Sequence, residues 1–137
     1  MPELFGPLWV AAFKRAIDAS DDYKTSSNNW EFPVVLVQRA DVKQGRPTPQ
    51  YAYLDLWRGT CREARIGTSL DVERAPVVIS ADRDVWVQIL RGKLELLTAV
   101  MLRKISVDKG NPSVLIGSVA AMRALVKAAQ AASDGFT

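Results

Sequence analysis

The chain has 137 residues, 48% of them apolar, with 18 basic and 15 acidic side chains and a net charge of +3. That length suits one domain with a substantial core, residues 1–137, and the apolar fraction excludes global disorder. Histidine is absent and Cys61 is the single cysteine, which argues against a histidine general base, a histidine or thiolate metal site and an internal disulfide.

The first predicted helix covers residues 7–20. Pro7 suits its first position, and Trp9, Phe13 and Ile17 recur every four residues as one apolar stripe. Residues 21–29 are polar and predict a loop with a short helical turn around Tyr23. Residues 31–39 read as a strand with four apolar residues in a row from Val34 to Val37. Gly45, Pro47 and Pro49 then mark a hairpin-type connection. In 51–58 the alternation is clear, with Ala52, Leu54 and Leu56 on one face and Tyr51, Tyr53, Asp55 and Trp57 on the other. Gly59 ends that strand. A weaker strand over 62–68 has Ala64 and Ile66 between charged residues, so one of its faces is wet. Three strands joined this closely predict an antiparallel meander, and Cys61 reads as a small semi-buried residue within it.

A fourth strand, 76–80, leads into Asp82, whose carboxylate has the chemistry of a helix cap. Asp84 falls in the first turn, where the helix dipole favours it. Val85, Trp86, Ile89 and Leu90 form the buried face, and Gly92 is placed as a left-handed stop. Leu94, Leu97, Val100 and Met101 predict a second short helix. Residues 104–107 form a fifth strand with Ile105 and Val107 on one side. Asn111-Pro112-Ser113 reads as a helix start. That helix runs to about residue 133, with Leu115, Val119, Met122, Val126 and Ala129 along one apolar face.

No catalytic constellation emerges. Asp82 and Asp84 read as capping residues, and Asp55 as solvated or paired with a neighbouring arginine. No glycine-rich phosphate loop or nucleophile motif is present, so no catalytic residue, metal site or cofactor is expected. Arg62, Arg65 and Arg74 are the nearest approach to a basic stripe, and each has an acid close by, which argues against a nucleic-acid partner. The start, MPELFGPLW, lacks the pattern of a signal peptide. The richest apolar stretch, 114–129, is interrupted by Arg123 and Lys127 and falls short of a membrane span. A soluble, cytoplasmic protein with at most transient membrane contact is the expectation. What stands out is apolar surface: wide faces on three helices, with Met101 and Met122 on them, a residue type that adapts to variable contents.

Residues 75–111 carry a more specific pattern: Ala81-Asp82, Asp84-Val85, Gly92-Lys93-Leu94, Ala99, Lys104-Ile105 and Gly110-Asn111. Upstream, Leu54-Asp55-Leu56-Trp57-Arg58-Gly59 ends a strand in Asp-x-x-x-Gly, and Trp9, Phe13, Tyr23 and Trp30 form an N-terminal aromatic pattern. Together these resemble the sterol carrier protein 2 family, in its small single-domain prokaryotic form. Two departures stand out. Arg103 occupies a position where the family has glycine, and the strand before Gly110 is longer by about one residue. The resemblance implies an α/β (α+β) fold: a mostly antiparallel five-stranded sheet covered by helices, with an apolar tunnel between sheet and helices. It implies non-catalytic binding and transport of a lipid, fatty-acyl or sterol-like ligand. The candidate tunnel wall is Trp86, Ile89, Leu90, Leu97, Met101, Ile105, Leu115, Val119, Met122 and Val126. Two alternatives stay open. In one, the apolar surplus is an interface, making the chain an interaction or oligomerisation module such as a homodimer. In the other, the chain is an accessory domain presenting substrate to a lipid-modifying enzyme.

Overall fold

The computed structural model describes residues 3–111, 113 and 118–136. The alternation of 51–58 produces β2 (Gln50–Trp57), with Ala52, Leu54 and Leu56 fully buried and the intervening side chains half-buried. It pairs antiparallel with β1 (Val34–Gln38) and with β3 (Thr60–Ile66), so the expected meander is present. Between β2 and β3 a two-residue turn places Arg58 at φ 48° and Gly59 at φ 87°. Both central residues left-handed is the hairpin geometry that matches strand twist. Gly59 has a second reason to be glycine: a Cβ there would lie 2.8 Å from the backbone of Lys24.

β1 also pairs with β4 (Val77–Ala81), in parallel, and β4 pairs antiparallel with β5 (Ile105–Lys109). The sheet order is β3-β2-β1-β4-β5, with one parallel pair at its centre. The fold is therefore α+β, a mostly antiparallel five-stranded sheet. Every residue of β1 and β4 is buried, the signature of central strands covered on both faces.

Among the described residues there are six α-helices. α1 (Pro7–Asp18) and α2 (Asp21–Ser26) precede the sheet, and α3 (Ser69–Arg74) connects β3 to β4. α4 (Arg83–Leu90) and α5 (Leu96–Met101) lie between β4 and β5, and α6 (Val119–Ala132) follows. The main core gathers Val34, Leu36, Leu54, Val77 and Ile79 against apolar residues of α1, α4, α5 and α6. The opposite sheet face holds a smaller cluster of Val35, Val37, Ala75 and Val78, with Val72 of α3 packed against it. Trp9 donates its indole N–H to Ser133 Oγ at 2.9 Å, tying α1 to the residue after α6.

Several local expectations need correction. Asp82 sits at the N-cap of α4, but its side chain accepts no backbone N–H. Its carboxylate instead faces Arg39 at 3.4 Å. α3 is an addition to the predicted elements. Its sequence has no apolar period, and it is held by a capping box: Thr68 accepts from Asp71 N–H while the Asp71 carboxylate accepts from Thr68 N–H. β3 starts two residues earlier than its charge pattern suggests, with a register shift between Asp55 and Leu56. Asp55 is paired as expected: Arg62 reaches it with two N–H groups at 3.1 and 3.2 Å, and that guanidinium lies 4.4 Å from the Trp57 ring centre.

Gly92 does stop α4, at φ 74°. Its N–H reaches Ile89 carbonyl and Lys93 N–H reaches Gln88 carbonyl, the paired bonds of a Schellman cap. α5 ends the same way with arginine in place of glycine. Arg103 adopts φ 59°, its N–H bonding Val100 carbonyl and Lys104 N–H bonding Ala99 carbonyl. Arg103, where the resemblance sets glycine, thus stands in a left-handed backbone. The helix start at 111–113 lies partly outside the described residues; Asn111 Oδ1 accepts from Ser113 N–H at 2.9 Å.

Candidate functional site

An apolar cavity lies between the sheet and the helices. Its floor is Val34 and Leu36 of β1 with Ile79 of β4. These residues point to the helical side because β1 and β4 are paired in register, Val34 opposite Val77 and Leu36 opposite Ile79. One wall comes from Phe5, Trp9 and Phe13, another from Trp86, Ile89 and Leu90, and Trp30 closes an end. Leu96 and the α6 residues Met122, Leu125, Val126 and Ala129 complete the enclosure.

Among the described residues, fifteen line the cavity, and all are apolar or aromatic. The three indoles among them have their N–H groups engaged elsewhere. Trp9 bonds Ser133 Oγ at 2.9 Å, Trp30 bonds Phe32 carbonyl at 2.9 Å, and Trp86 bonds Val37 carbonyl at 2.9 Å. These bonds satisfy the only side-chain N–H groups among the described lining residues and fix the ring orientations. What faces the void is therefore hydrocarbon and aromatic surface, the kind of cavity that stays dry. Phe5 stacks on Trp9 at 4.9 Å and lies 5.7 Å from Trp86. It holds this place with φ 66°, a strained conformation for a bulky residue.

The void is small. It offers about 40 Å³ to the centres of water-sized spheres, only a few times the ~10–15 Å³ that one water needs on this measure. Next to it is a groove between the α4–α5 connection and α6, offering about 350 Å³ on the same measure. Leu96, Met122 and Val126 border both spaces. They form a shared partition between a solvent-facing groove and the buried void. Leu94, Leu97, Glu95, Arg123, Lys127 and Gln130 line the rest of the groove.

The structure distributes the predicted wall residues unevenly. Trp86, Ile89, Leu90, Met122 and Val126 line the cavity, and Leu97 lines the groove only. Ile105 is buried in the core without bordering either space, and Val119 is half-buried at the start of α6, also bordering neither. Leu115 lies outside the described residues. Met101 faces solvent, 80% exposed, and is corrected as a wall residue. α5 begins only at Leu96, so its inward positions are Leu96 and Ala99; a face drawn through 94, 97 and 101 lies one position round the helix. The wall drawn from the sequence leaves out Phe5, Trp9, Phe13, Trp30, the three sheet residues, Leu96, Leu125 and Ala129, because only tertiary placement brings them to one void.

Cys61 is buried in β3 beside α1, its N–H bonding Asp18 Oδ1 at 3.0 Å. Burial, with the Asp18 carboxylate adding to it, pushes its thiol up to about 12, so the thiolate that nucleophilic or metal chemistry requires is not formed near neutral pH.

Comparison with known proteins agrees with this architecture. A crystal structure of a sterol carrier protein 2 is similar at TM-score 0.85 and 35% identity, covering 93% of this chain and 98% of the other. The chain belongs to the sterol carrier protein 2 family. A Thermus thermophilus protein described as possibly a sterol carrier protein is similar at TM-score 0.85 and 34% identity, over 96% of this chain and 91% of that one. Sterol carrier protein 2 from Yarrowia lipolytica, in its apo form, shares the fold at TM-score 0.60 and 16% identity, over 88% of each chain. Neither the family models nor the curated proteins gave a match to the chain. No described helix is long and apolar enough to cross a membrane.

Proposed function

We propose that residues 1–137 act as one non-catalytic lipid carrier, taking a fatty-acyl or sterol-like ligand into an apolar tunnel between sheet and helices. The observation that carries this reading is the all-apolar lining, with every indole N–H bonded away from the void. Such a surface offers a ligand dispersion and desolvation and no directional polar contact. A chain of about 16 carbons buried at ~0.8 kcal/mol per methylene gains on the order of 12 kcal/mol before association costs. Losses of translational, rotational and chain freedom leave micromolar to nanomolar binding.

A void of 40 Å³ is far below the ~300–1,000 Å³ of ordinary ligand pockets. Binding therefore requires the partition of Leu96, Met122 and Val126 to move, joining the groove to the void. Two of these three side chains, Leu96 and Met122, are unbranched at Cβ, and Met in particular repacks readily. The relatives carry sterol carrier names, and a soluble carrier of this kind would work in the cytoplasm.

Native mass spectrometry of the purified protein, followed by organic extraction, tests the reading. The expected result is a co-purifying acyl or sterol-like lipid near one per chain, or saturable binding of a fluorescent fatty acid by the stripped protein. A lipid-free protein that also fails to bind the fluorescent fatty acid overturns it.

A further inference from the structure

The groove on α6 has two edges of different chemistry. Met122 and Val126 face the cavity, and Arg123 and Lys127 stand beside them on the same groove wall. Residues four apart sit one above the other on a helix, so the apolar pair and the basic pair run as parallel stripes over one turn. Glu95, across the groove at the start of α5, is the single acid among the described lining residues. Arg123 Nη2 reaches Glu95 Oε1 at 3.3 Å, with the two side chains 67% and 52% exposed. Lys127 has no ion-pair partner among the described residues. Asp22 of α2 borders the same two cations from the opposite flank and lies outside the groove.

Resting on the carrier reading, we infer that this groove is the ligand's entrance and that Arg123 and Lys127 hold an anionic head there, which selects a fatty-acid carboxylate. The tail enters past Met122 while the head stays at the rim. Charge balance supports this: among the described residues two cations face one acid in the groove, and the void beyond offers no polar side chain for a head that travelled inward. The Arg123–Glu95 pair is exposed, and such pairs are weak enough to exchange. An incoming carboxylate therefore takes over Arg123 and leaves Glu95 to water. A neutral amphiphile of equal tail gains nothing at this rim.

The test is competition of dodecanoate and dodecan-1-ol against a fluorescent acyl probe at pH 8, read as the ratio of their affinities. The native chain should prefer the acid about tenfold, since each exposed charge contact contributes up to about fivefold. R123Q/K127Q should bring the ratio close to one. E95Q should raise it, because the competing anion is gone. High salt should lower it in the native chain and leave it unchanged in R123Q/K127Q. A ratio of one in the native chain, or one that none of these variants moves, overturns the rim assignment while the carrier reading stands. If the native chain binds neither compound, the carrier reading falls and the rim assignment with it.

Discussion

Met122→Ala should open a passage where there is now a wall. Met122 is 3% exposed and borders both the void and the groove. Alanine removes three heavy atoms, a transfer loss of about 2.4 kcal/mol at ~0.8 kcal/mol per methylene-sized group. A residual-cavity cost adds to this, at ~24 cal/mol per Å³ that does not collapse. Because one side of the residue is already an open groove, water relieves part of that cost, and a total near 3 kcal/mol is expected. With an unfolding entropy of ~2.1 cal/mol/K per residue over 137 residues, the melting temperature falls by about 10 °C. Binding moves the other way. The space vacated admits roughly two more methylenes of tail, about 1.6 kcal/mol or somewhat over tenfold in affinity for a long fatty acid. Met122→Trp fills the same passage, so it should weaken acyl binding by about tenfold or more while overpacking costs ~1–3 kcal/mol. Thermal melts and fluorescent fatty-acid titrations of both variants give all four numbers. The reasoning fails if the folded alanine and tryptophan variants bind the same chain equally.

Met101→Trp, on a solvent-facing side chain, should change neither acyl affinity nor melting temperature by more than about 0.5 kcal/mol equivalent. Gly59→Ala should cost at least ~2 kcal/mol in a denaturant melt, because φ 87° and a contact of 2.8 Å with the Lys24 backbone both oppose a Cβ. Arg103→Gly should leave stability unchanged or raise it by up to about 1 kcal/mol, since relief of a left-handed arginine outweighs the added chain entropy; a loss above 1 kcal/mol would contradict the cap assignment. The Arg65 guanidinium beside Asp71, with Thr68 N–H, holds the Asp71 carboxyl down to about 2. Its stabilisation is complete above the ordinary aspartate value near 3.9 and is lost as pH falls toward 2. Arg65 is 41% exposed, so the pair is worth about 0.5–1 kcal/mol, and Asp71→Asn should flatten the stability curve between pH 4 and 2. Iodoacetamide at pH 8 should label Cys61 only as fast as the fold opens; prompt labelling of the native protein would refute its burial.

The strands and the cavity differ in how much of them could be read from the sequence. β2 was legible because its alternation is strict and its inner residues, Ala52, Leu54 and Leu56, are packed to zero exposure. The stop at Gly92 was legible because a left-handed residue between two apolar segments has few other meanings. α3 was not legible by period, since Leu70 is exposed and no residue of the helix is buried; only the Thr68–Asp71 spacing marks it. For the cavity, the α4 face was recovered because an eight-residue helix with Trp86, Ile89 and Leu90 inward has an unambiguous stripe. The α5 face slipped because a six-residue helix provides too few turns to define one. Phe5, Val34, Leu36 and Ile79 reach the same void from different elements, and no local pattern encodes that meeting.

The central parallel pair sets the order in which this carrier is assembled. β1 ends at Gln38 and its neighbour β4 begins only at Val77, so the middle of the sheet closes late, across a long stretch of intervening chain. The roof residues of the cavity on α6 come later still. A growing chain therefore leaves the oily floor of Val34, Leu36 and Ile79 without its α6 roof until that helix docks. Folding dominated by such distant pairings is slow, and its intermediates are prone to stick to one another. The surface suited to receive a lipid is, for that interval, the surface most in need of a chaperone, and a lipid present during refolding should shorten the interval by covering it.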